Sequence, residues 1–284
     1  MKRFSREQFL SRMRRTIEEK NPILMAGAAN GLIAKFMERG DIDIIGVYNS
    51  CKYRMNGYGS LAGMLPLGNA NETIFEMGTR DVLPQVKQTP VIAGVNLGDI
   101  TMDIRYFLKS LVDVGFAGVH NFPTVAWFDG VFRKTLEETG LGFELEIEGL
   151  KIAKEEGLVT FGYAFNEEDT AYLVKEAQVD VYIFHAGITT GGSTGVKNSG
   201  GMSDTVKRTQ ANFEVAKKYK PDIILLAHGA ALANPDDAKY VIENTDAMGV
   251  QLGSAIERLA VEVPLQSRTR SFKDAMSLGA EVKN

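Results

Sequence analysis

The chain has 284 residues, of which 44% are hydrophobic and 24% are charged. These proportions are typical of globular proteins and exclude a disordered or fibrous chain. The formal net charge is −4, and no block of like charges occurs. Because a nucleic-acid-binding protein needs a basic face to neutralise phosphates, we expect no nucleic-acid partner.

Cysteine content and hydropathy indicate the compartment. Cys51 is the only cysteine, so no disulfide can form within the chain. The first residues alternate charged and apolar side chains instead of forming the apolar stretch of a signal peptide. No run approaches the roughly 20 apolar residues that span a membrane. We therefore expect a cytoplasmic protein with no membrane partner.

The first predicted element is a helix over about residues 5–20. Ser5 and Gln8 have the spacing of a capping box, and Phe9, Leu10 and Met13 form an apolar stripe behind them. We expect this helix to precede the main fold.

Eight short apolar runs follow, each bounded by turn residues. They begin at Pro22, Ile42, Thr89, Gly115, Val159, Val179, Pro221 and Ala247. Runs that are apolar on both faces are typical of buried parallel strands. The segments between them have helical periodicity, and residues 125–157 have room for two helices. Asn234 and Pro235 predict a helix start, and Gly115 and Gly157 predict helix ends.

Eight strands alternating with helices predict an α/β fold, a (β/α)8 TIM barrel. The barrel is expected over about residues 22–275, within one domain spanning residues 1–284. The alternative is a doubly wound open sheet, which needs fewer strands and normally carries a glycine-rich dinucleotide loop after the first strand. Residues 27–31, GAANG, imitate that loop only loosely.

Two long connections are candidates for lids or binding loops. The first runs from Cys51 to Asn71, and the second is the glycine-rich segment from Gly187 to Gly201. Loops of this length are usually functional. We expect both to cover the mouth of the barrel.

In a barrel of this kind the active site lies at the carboxyl ends of the strands. His185 and His228 each end an apolar run there. Since the pKa of histidine is near neutrality, both are predicted to be catalytic proton-transfer groups. The alternative is that they are buried histidines with a structural role.

Asparagines end two further strands, at Asn96 and Asn121, and are predicted to orient a substrate. His120 precedes Asn121, and successive strand residues face opposite sides. Only one of the two can therefore face the pocket, and we favour Asn121.

An anion site is predicted where the last strand ends. Gly253 and Ser254 open a predicted short helix, SAIERL, whose free N–H groups favour a phosphate or carboxylate. Ordinary capping by Ser254 is the alternative. Glu257 either completes a capping box or faces the site.

The second strand run ends in Tyr48, Asn49 and Ser50, which are predicted to bind substrate, with the Ser50 hydroxyl on a carboxylate or oxyanion. Arg54 is predicted to clamp an anionic group, because guanidinium binds carboxylate and phosphate bidentately; a surface arginine is the alternative. Cys51 is either a nucleophile or, without an activating partner, inert.

Seven segments together resemble the phosphoenolpyruvate hydrolase-like TIM-barrel family. They are PILMAGAANGLIAKFMERGDIDIIGVYNS, YRMNGYGSLAGMLPLGNAN, PVIAGVNLGD, GVHNFPTVAWFDGVFR, HAGITTGGSTG, LLAHGAALANPDDA and GVQLGSAIER. The resemblance covers about residues 5–275. It implies a distant relation to phosphoenolpyruvate mutase and isocitrate lyase, which cleave or form C–C or P–C bonds beside a 2-oxo acid using magnesium. Ser50 matches the position expected to hold a pyruvyl carboxylate.

The leading hypothesis is an enzyme that cleaves or hydrolyses a small anionic oxo-acid at a C–C or P–C bond next to the carbonyl. Magnesium is implied by the resemblance, but Asn96 and Asn121 stand where acidic ligands are expected. The alternative is a non-catalytic module that senses a small ligand or binds a protein. We also expect a homo-oligomer, with the N-terminal helix offering one surface.

Overall fold

The computed structural model describes residues 4–198 and 200–277. Eight parallel strands form a closed barrel in chain order, with the last strand paired to the first. The strands are β1 Ile23–Gly27, β2 Ile44–Val47, β3 Val91–Val95, β4 Gly118–Asn121, β5 Val159–Ala164, β6 Val181–His185, β7 Ile224–His228 and β8 Gly249–Leu252. Each predicted apolar run contains one of them, so the TIM-barrel prediction is confirmed and the open sheet is excluded.

Helices alternate with these strands. They are α1 Arg6–Glu18, α2 Gly31–Arg39, α3 Asn49–Met55, α4 Ala70–Glu76, α5 Ile104–Val114, α6 Gly130–Glu138, α7 Phe143–Glu155, α8 Glu167–Ala177, α9 Met202–Tyr219, α10 Pro235–Glu243 and α11 Leu259–Met276. The predicted pair of helices between residues 125 and 157 is α6 and α7. Within the described part of the chain, no helix is both long enough and apolar enough to cross a membrane.

Several helices begin and end at the capping residues that the sequence predicts. Ser5 and Gln8 form the reciprocal capping box of α1, and Asn234 with Asp237 does the same for α10. Helix α5 ends at Gly115, whose φ of +112° lies in the left-handed region that favours glycine. These elements depend on short-range hydrogen bonds, which is why the sequence predicts them.

Helix α1 is part of the core, although it precedes the barrel. Phe9 is fully buried and its ring lies 5.9 Å from that of Phe161 in β5. Arg6 forms an ion pair with Asp180, which also accepts the Thr160 N–H at 3.1 Å. Because Asp180 immediately precedes β6, these contacts fasten α1 to the amino-terminal end of the barrel, opposite the expected site.

Helix α11 begins later than the sequence predicts, and most of its residues are exposed. Residues 254–258 form turns, and the helix begins only at Leu259, so the predicted SAIERL helix was wrong. The chain instead makes the turn bonds Glu257 N–H to Gly253 C=O, 3.0 Å, and Leu259 N–H to Ser254 C=O, 2.9 Å. From residue 263 onward every described residue of α11 is exposed. The outward side of the β8–β1 junction is consequently left as an apolar groove between α2 and α10.

The packing of α1 generates a stability prediction. Phe9→Ala removes a fully buried aromatic ring and should lower the free energy of unfolding by about 3–5 kcal/mol. Denaturant unfolding followed by circular dichroism measures the change. Val131→Ala, at a residue that is 83% exposed, is the control and should change stability by less than about 0.5 kcal/mol. A loss under about 1 kcal/mol for Phe9→Ala would show that α1 is only loosely attached.

Candidate active site

A pocket lies at the carboxyl ends of the strands. Its walls include Tyr48 directly after β2, residues from α3, residues at the ends of β6 and β7, and residues from the turn after β8. The predicted site residues among them are Tyr48, Ser50, Arg54, His185, His228, Gly253 and Ser254. Residues that are far apart in the chain therefore meet where the barrel fold predicts an active site.

Arg54 and three serine hydroxyls form one side of this pocket. Arg54 Nη1 donates to Ser50 Oγ at 3.1 Å and to Ser60 Oγ at 3.3 Å. Ser60 Oγ lies 3.3 Å from Ser254 Oγ. Arg54 is 6% exposed, so it is not the surface arginine of the alternative interpretation. A guanidinium beside three hydroxyls is suited to an anionic group.

Glu257 balances the charge of Arg54 inside the protein. Its Oε2 accepts from Arg54 Nε at 2.6 Å and lies 2.6 Å from Nη2, and the carboxylate is fully buried. Burial opposes the charge of Arg54, but Glu257 raises the pKa of the guanidinium. Burial also raises the pKa of Glu257, against the pull of Arg54. Glu257 thus supports the arginine from behind and is absent from the pocket lining.

The two predicted catalytic histidines lie together across the pocket, with ring centroids 4.3 Å apart. The Gly187 N–H donates to His185 Nδ1 at 3.2 Å, so the neutral ring carries its proton on Nε2. His228 Nδ1 donates to the Gln251 carbonyl at 2.6 Å, which leaves a lone pair on Nε2. The pair therefore combines one hydrogen-bond donor with one proton acceptor.

Desolvation keeps these rings neutral. It lowers the pKa of His228 from its ordinary 6.5 to about 4, and it lowers the pKa of His185 well below the ordinary value. Nearby imidazoles add to the effect at His185. Both histidines are thus neutral at physiological pH, with His228 as the proton acceptor and His185 as the hydrogen-bond donor.

Gly253 marks the point at which the two sides of the pocket converge. A Cβ atom added there would lie 3.7 Å from Arg54 Nη1 and 3.8 Å from His228 Cε1. The missing side chain leaves open the space between the cation and the imidazole.

Both predicted loops contribute to the pocket walls. Ser60, Leu61 and Met64 come from the first loop, and Gly187 to Thr189 begin the second. The second loop is fastened to the turn after β8, where Arg258 Nη2 donates to the Gly191 carbonyl at 3.0 Å. The loops therefore lie around the mouth of the barrel, as the sequence predicts.

Cys51 lies beside the pocket but is fully buried, with Arg54 Nη2 3.0 Å from its Sγ. Burial raises the pKa of the thiol, and Glu257 adds to the rise. A protonated, buried thiol fits the inert alternative rather than a nucleophile.

The asparagines predicted to bind substrate lie elsewhere. Asn49 and Asn96 line a neighbouring groove, and the Asn49 amide donates to the Gly63 carbonyl at 2.9 Å. Asn121 points away from the pocket: its Nδ2 donates to Glu146 in α7 at 2.8 Å, and its Oδ1 accepts the Tyr163 N–H at 2.7 Å. Glu146 is buried, and desolvation raises its pKa to about 7.

His120, and not Asn121, faces the interior of the barrel. Its ring centroid lies 3.7 Å from that of Tyr163, and its Nδ1 lies 3.2 Å from Tyr48 Oη. The preference for Asn121 was therefore wrong, because strand alternation gives two choices and the sequence alone does not set the inward side.

Sequence reasoning missed several polar groups around the pocket. Ser60, Tyr163 and Gln251 all line it. One signal was available for Gln251, which is a single polar residue within the apolar run of β8. Ser60 and Tyr163 carry no comparable signal, since serine is common in loops and tyrosine is common in strands.

A family model identifies the protein family of this chain. The model of the phosphoenolpyruvate hydrolase-like family matches residues 8–275. The chain belongs to this family.

Two curated relatives are longer than this chain. The ToMV susceptible protein tm-1(GCR26) of Solanum lycopersicum is 42% identical over 265 residues, covering 93% of this chain and 35% of the relative. The "Putative transcriptional regulatory protein y4pA" of Sinorhizobium fredii is 27% identical, covering 96% of this chain and 45% of the relative. The chain thus spans less than half the length of each of these proteins.

Solved structures share the barrel at low sequence identity. A phosphonopyruvate hydrolase in complex with oxalate and magnesium has a TM-score of 0.62 and 14% identity, covering 97% of this chain and 92% of that one. A phosphoenolpyruvate phosphomutase from Streptomyces platensis subsp. rosaceus has a TM-score of 0.60 and 13% identity, covering 94% and 88%. At these identities the similarity shows a common fold.

The residues present at the strand ends of this family member offer few ligands that suit magnesium. Among the described residues, no group of three or more histidine, cysteine or acidic side chains is placed to hold a metal ion. The Asn121 oxygen is already bonded to the Tyr163 N–H. One oxygen of Asp99 accepts the Thr101 N–H at 2.9 Å and its hydroxyl at 2.6 Å. A hard divalent cation prefers carboxylates, and few are left for it here.

The lowered pKa of His228 predicts how stability depends on pH. As pH falls from 6.5, the unfolded chain takes up a proton that the folded imidazole takes up only near pH 4. This group therefore lowers the free energy of unfolding between pH 6.5 and 4, by roughly 3 kcal/mol when the pH is below both values. His228→Gln removes the proton uptake and should show a smaller loss in that window.

Thermal and urea unfolding at matched pH values measure this difference. Both proteins also carry Glu146, whose raised pKa acts in the opposite direction, so the comparison is made between variant and wild type. Equal losses of stability from pH 6.5 to 4 would contradict a lowered pKa for His228.

Proposed function

We propose that this protein is an enzyme that cleaves or hydrolyses a C–C or P–C bond next to the carbonyl group of a small anionic oxo-acid. The observation that carries the proposal is the pocket itself. It places a charge-balanced guanidinium with three hydroxyls on one side. On the other side it places two neutral histidines that are in different tautomers.

Each side of the pocket supplies one part of the chemistry. Arg54, Ser50 and Ser254 hold the carboxylate of the substrate, and the buried Glu257 keeps the guanidinium in place. The low-polarity surroundings strengthen this binding, because water screens the charges less. The carboxylate end fixes the orientation of the bond to be cleaved.

The histidines act at the opposite side. His228 Nε2 has a free lone pair and accepts a proton from a water molecule or a substrate hydroxyl. His185 Nε2–H stays on its ring and donates a hydrogen bond to the reacting group. Because desolvation lowers the pKa of His228 to about 4, the ring is neutral at pH 7 and its lone pair is free. The proton it takes is returned to the leaving fragment.

The comparisons support this choice of substrate class. Proteins with the same barrel include the phosphonopyruvate hydrolase bound to oxalate and an oxaloacetate acetylhydrolase with a TM-score of 0.59. Both names describe hydrolysis of a small oxo-acid. The proposal is tested by incubating the protein with phosphonopyruvate, oxaloacetate and related oxo-acids, with and without Mg²⁺, and following conversion by mass spectrometry.

The variant Gly253→Ala tests whether the ligand binds between Arg54 and His228. The added methyl group fits without a clash, because its nearest neighbours would be 3.7 and 3.8 Å away, but it fills the space between Arg54 and His228. We expect at least a tenfold loss of kcat/KM on any converted oxo-acid and no loss of thermal stability.

Gly98→Ala is the matched control. Its added Cβ also meets ordinary contacts, at 3.8 Å from Asn96 Oδ1 and from Leu145 Cβ, but outside this pocket. We expect wild-type turnover for it. Equal turnover by Gly253→Ala and wild type would place the ligand elsewhere.

A second candidate function is a ligand-sensing or protein-interaction module. The observation that favours it is that the chain corresponds to 45% of y4pA, whose name describes a transcriptional regulatory protein, and to 35% of the tomato relative. For a sensor, oxo-acids should raise the melting temperature without being converted. Conversion of the stabilising compound would exclude a purely sensing role.

We also propose that the protein forms a homo-oligomer through α11. A barrel buries both faces of its strands, yet the groove at the β8–β1 junction is apolar and open, and Leu24 and Leu252 are only partly buried there. The same chain carries an uncovered helix of 18 residues with Val263, Leu265 and Phe272 more than half exposed. Helix α11 of a second copy is therefore the proposed occupant of the groove.

Light scattering after size exclusion tests this assembly. Leu265→Glu places a charge on a side chain that is 61% exposed in one copy, so it should halve the mass of a dimer and leave the fold intact. Val131→Glu, at an 83% exposed residue of α6, is the control and should leave the mass unchanged. A monomeric wild type, or a Leu265→Glu variant of unchanged mass, would refute the proposed contact.

A further inference from the structure

Tyr48 is buried in the interior of the barrel and forms part of the pocket wall. Two glycines make room for its ring: an added Cβ would come within 2.5 Å of the ring at Gly46 and within 2.3 Å at Gly94. The Phe122 ring packs edge-on against it, with centroids 5.7 Å apart. The hydroxyl is therefore held in one place.

Two buried side chains contact the Tyr48 oxygen. Gln251 Nε2 donates to Oη at 2.9 Å, and His120 Nδ1 lies 3.2 Å from it. His120 Nε2 and Gln251 Oε1 are both buried without a hydrogen-bond partner in the described structure. These orphaned atoms indicate which way the hydrogen bonds run.

The His120 ring is neutral, because desolvation and the neighbouring His228 lower its pKa, so it carries one proton. With that proton on Nε2, a buried N–H would have no acceptor; with it on Nδ1, only a lone pair is unmatched. Orphaned buried N–H groups are the rarer of the two in folded proteins. His120 therefore donates to Tyr48 through Nδ1–H, and the orientation of the Gln251 amide follows the same rule.

Tyr48 Oη thus accepts two hydrogen bonds, and neither neighbour accepts one in return. Its own proton is then available to an acceptor in the pocket that Tyr48 lines together with Arg54, Ser50 and His228. An O–H group that accepts two hydrogen bonds is a stronger donor, because both stabilise negative charge on its oxygen.

We propose that Tyr48 is the hydrogen-bond donor to the substrate carbonyl oxygen and stabilises the negative charge that this oxygen gains when the adjacent bond breaks. His120 and Gln251 act through Tyr48 and are positioning residues. No proton or electron is transferred in this step. The inference rests on the proposed function and names a neutral hydrogen-bond donor for this oxygen, at strand ends that offer few carboxylate ligands for a metal.

The first test reads the hydrogen-bond direction without a substrate. The chain has three histidines, so ¹⁵N-labelled imidazoles give a simple spectrum, and His120→Asn assigns the His120 signals. We expect the Nδ1–H tautomer for His120 in the wild-type protein. The Nε2–H tautomer would overturn the inference, because Tyr48 would then donate to His120 and present no proton to a ligand.

The second test uses oxalate, a planar dianion that resembles the enolate of a 2-oxo acid. Its affinity is measured by calorimetry in a buffer containing a chelator. Tyr48→Phe should weaken binding about 10- to 100-fold, the loss expected for one hydrogen bond to a charged group. His120→Leu should weaken it in the same direction, and His120→Asn, whose amide nitrogen takes the place of Nδ1, should restore much of the loss.

Tyr182→Phe is the matched control for this experiment. The Tyr182 hydroxyl bonds to Thr170 at 2.6 Å, away from the pocket, so the affinity for oxalate should stay at the wild-type value. This inference alone would be overturned if Tyr48→Phe bound oxalate as tightly as the wild type does. It would also be overturned if the wild type bound oxalate only in the presence of added Mg²⁺. Failure of the wild type to bind oxalate, with no oxo-acid converted, would overturn the proposed function as well.

Discussion

The buried ion pair between Arg54 and Glu257 is the interaction on which the pocket depends. It joins α3 to the turn after β8, two segments that are 203 residues apart in the chain. Removing one partner of such a pair leaves an uncompensated buried charge, at a cost of about 3–5 kcal/mol. The pair therefore fixes a cation at the mouth of the barrel, and the serine hydroxyls take their positions around it.

The opposite side of the pocket depends on desolvation instead of ion pairing. Three histidines lie in or near the barrel interior, and burial lowers the pKa of each, so they remain neutral. Backbone groups then decide the tautomers of His185 and His228. The charge-balanced guanidinium of Arg54 thus faces a set of neutral donors and acceptors, which is an arrangement suited to an anion that develops charge on a second oxygen.

Part of this site was predictable because barrel geometry gathers strand ends. Ser50, His185, His228 and Ser254 were found in this way, and all four line the pocket. Asn121 was wrongly predicted to face the pocket. Successive strand residues face opposite sides, and alternation alone does not show whether His120 or Asn121 points inward. Ser60 was missed because no local pattern distinguishes it from an ordinary loop serine.

The sequence by itself determined the order of the eight strands and the helix caps. It also indicated that the active site lies at the carboxyl ends of the strands. Hydrophobic periodicity and capping act over a few residues, so a single sequence shows them directly. Only the tertiary structure decided which side chains meet, that Arg54 is buried against Glu257, and that the histidines are neutral. Those properties depend on desolvation and on contacts between residues far apart in the chain, and no local pattern encodes them.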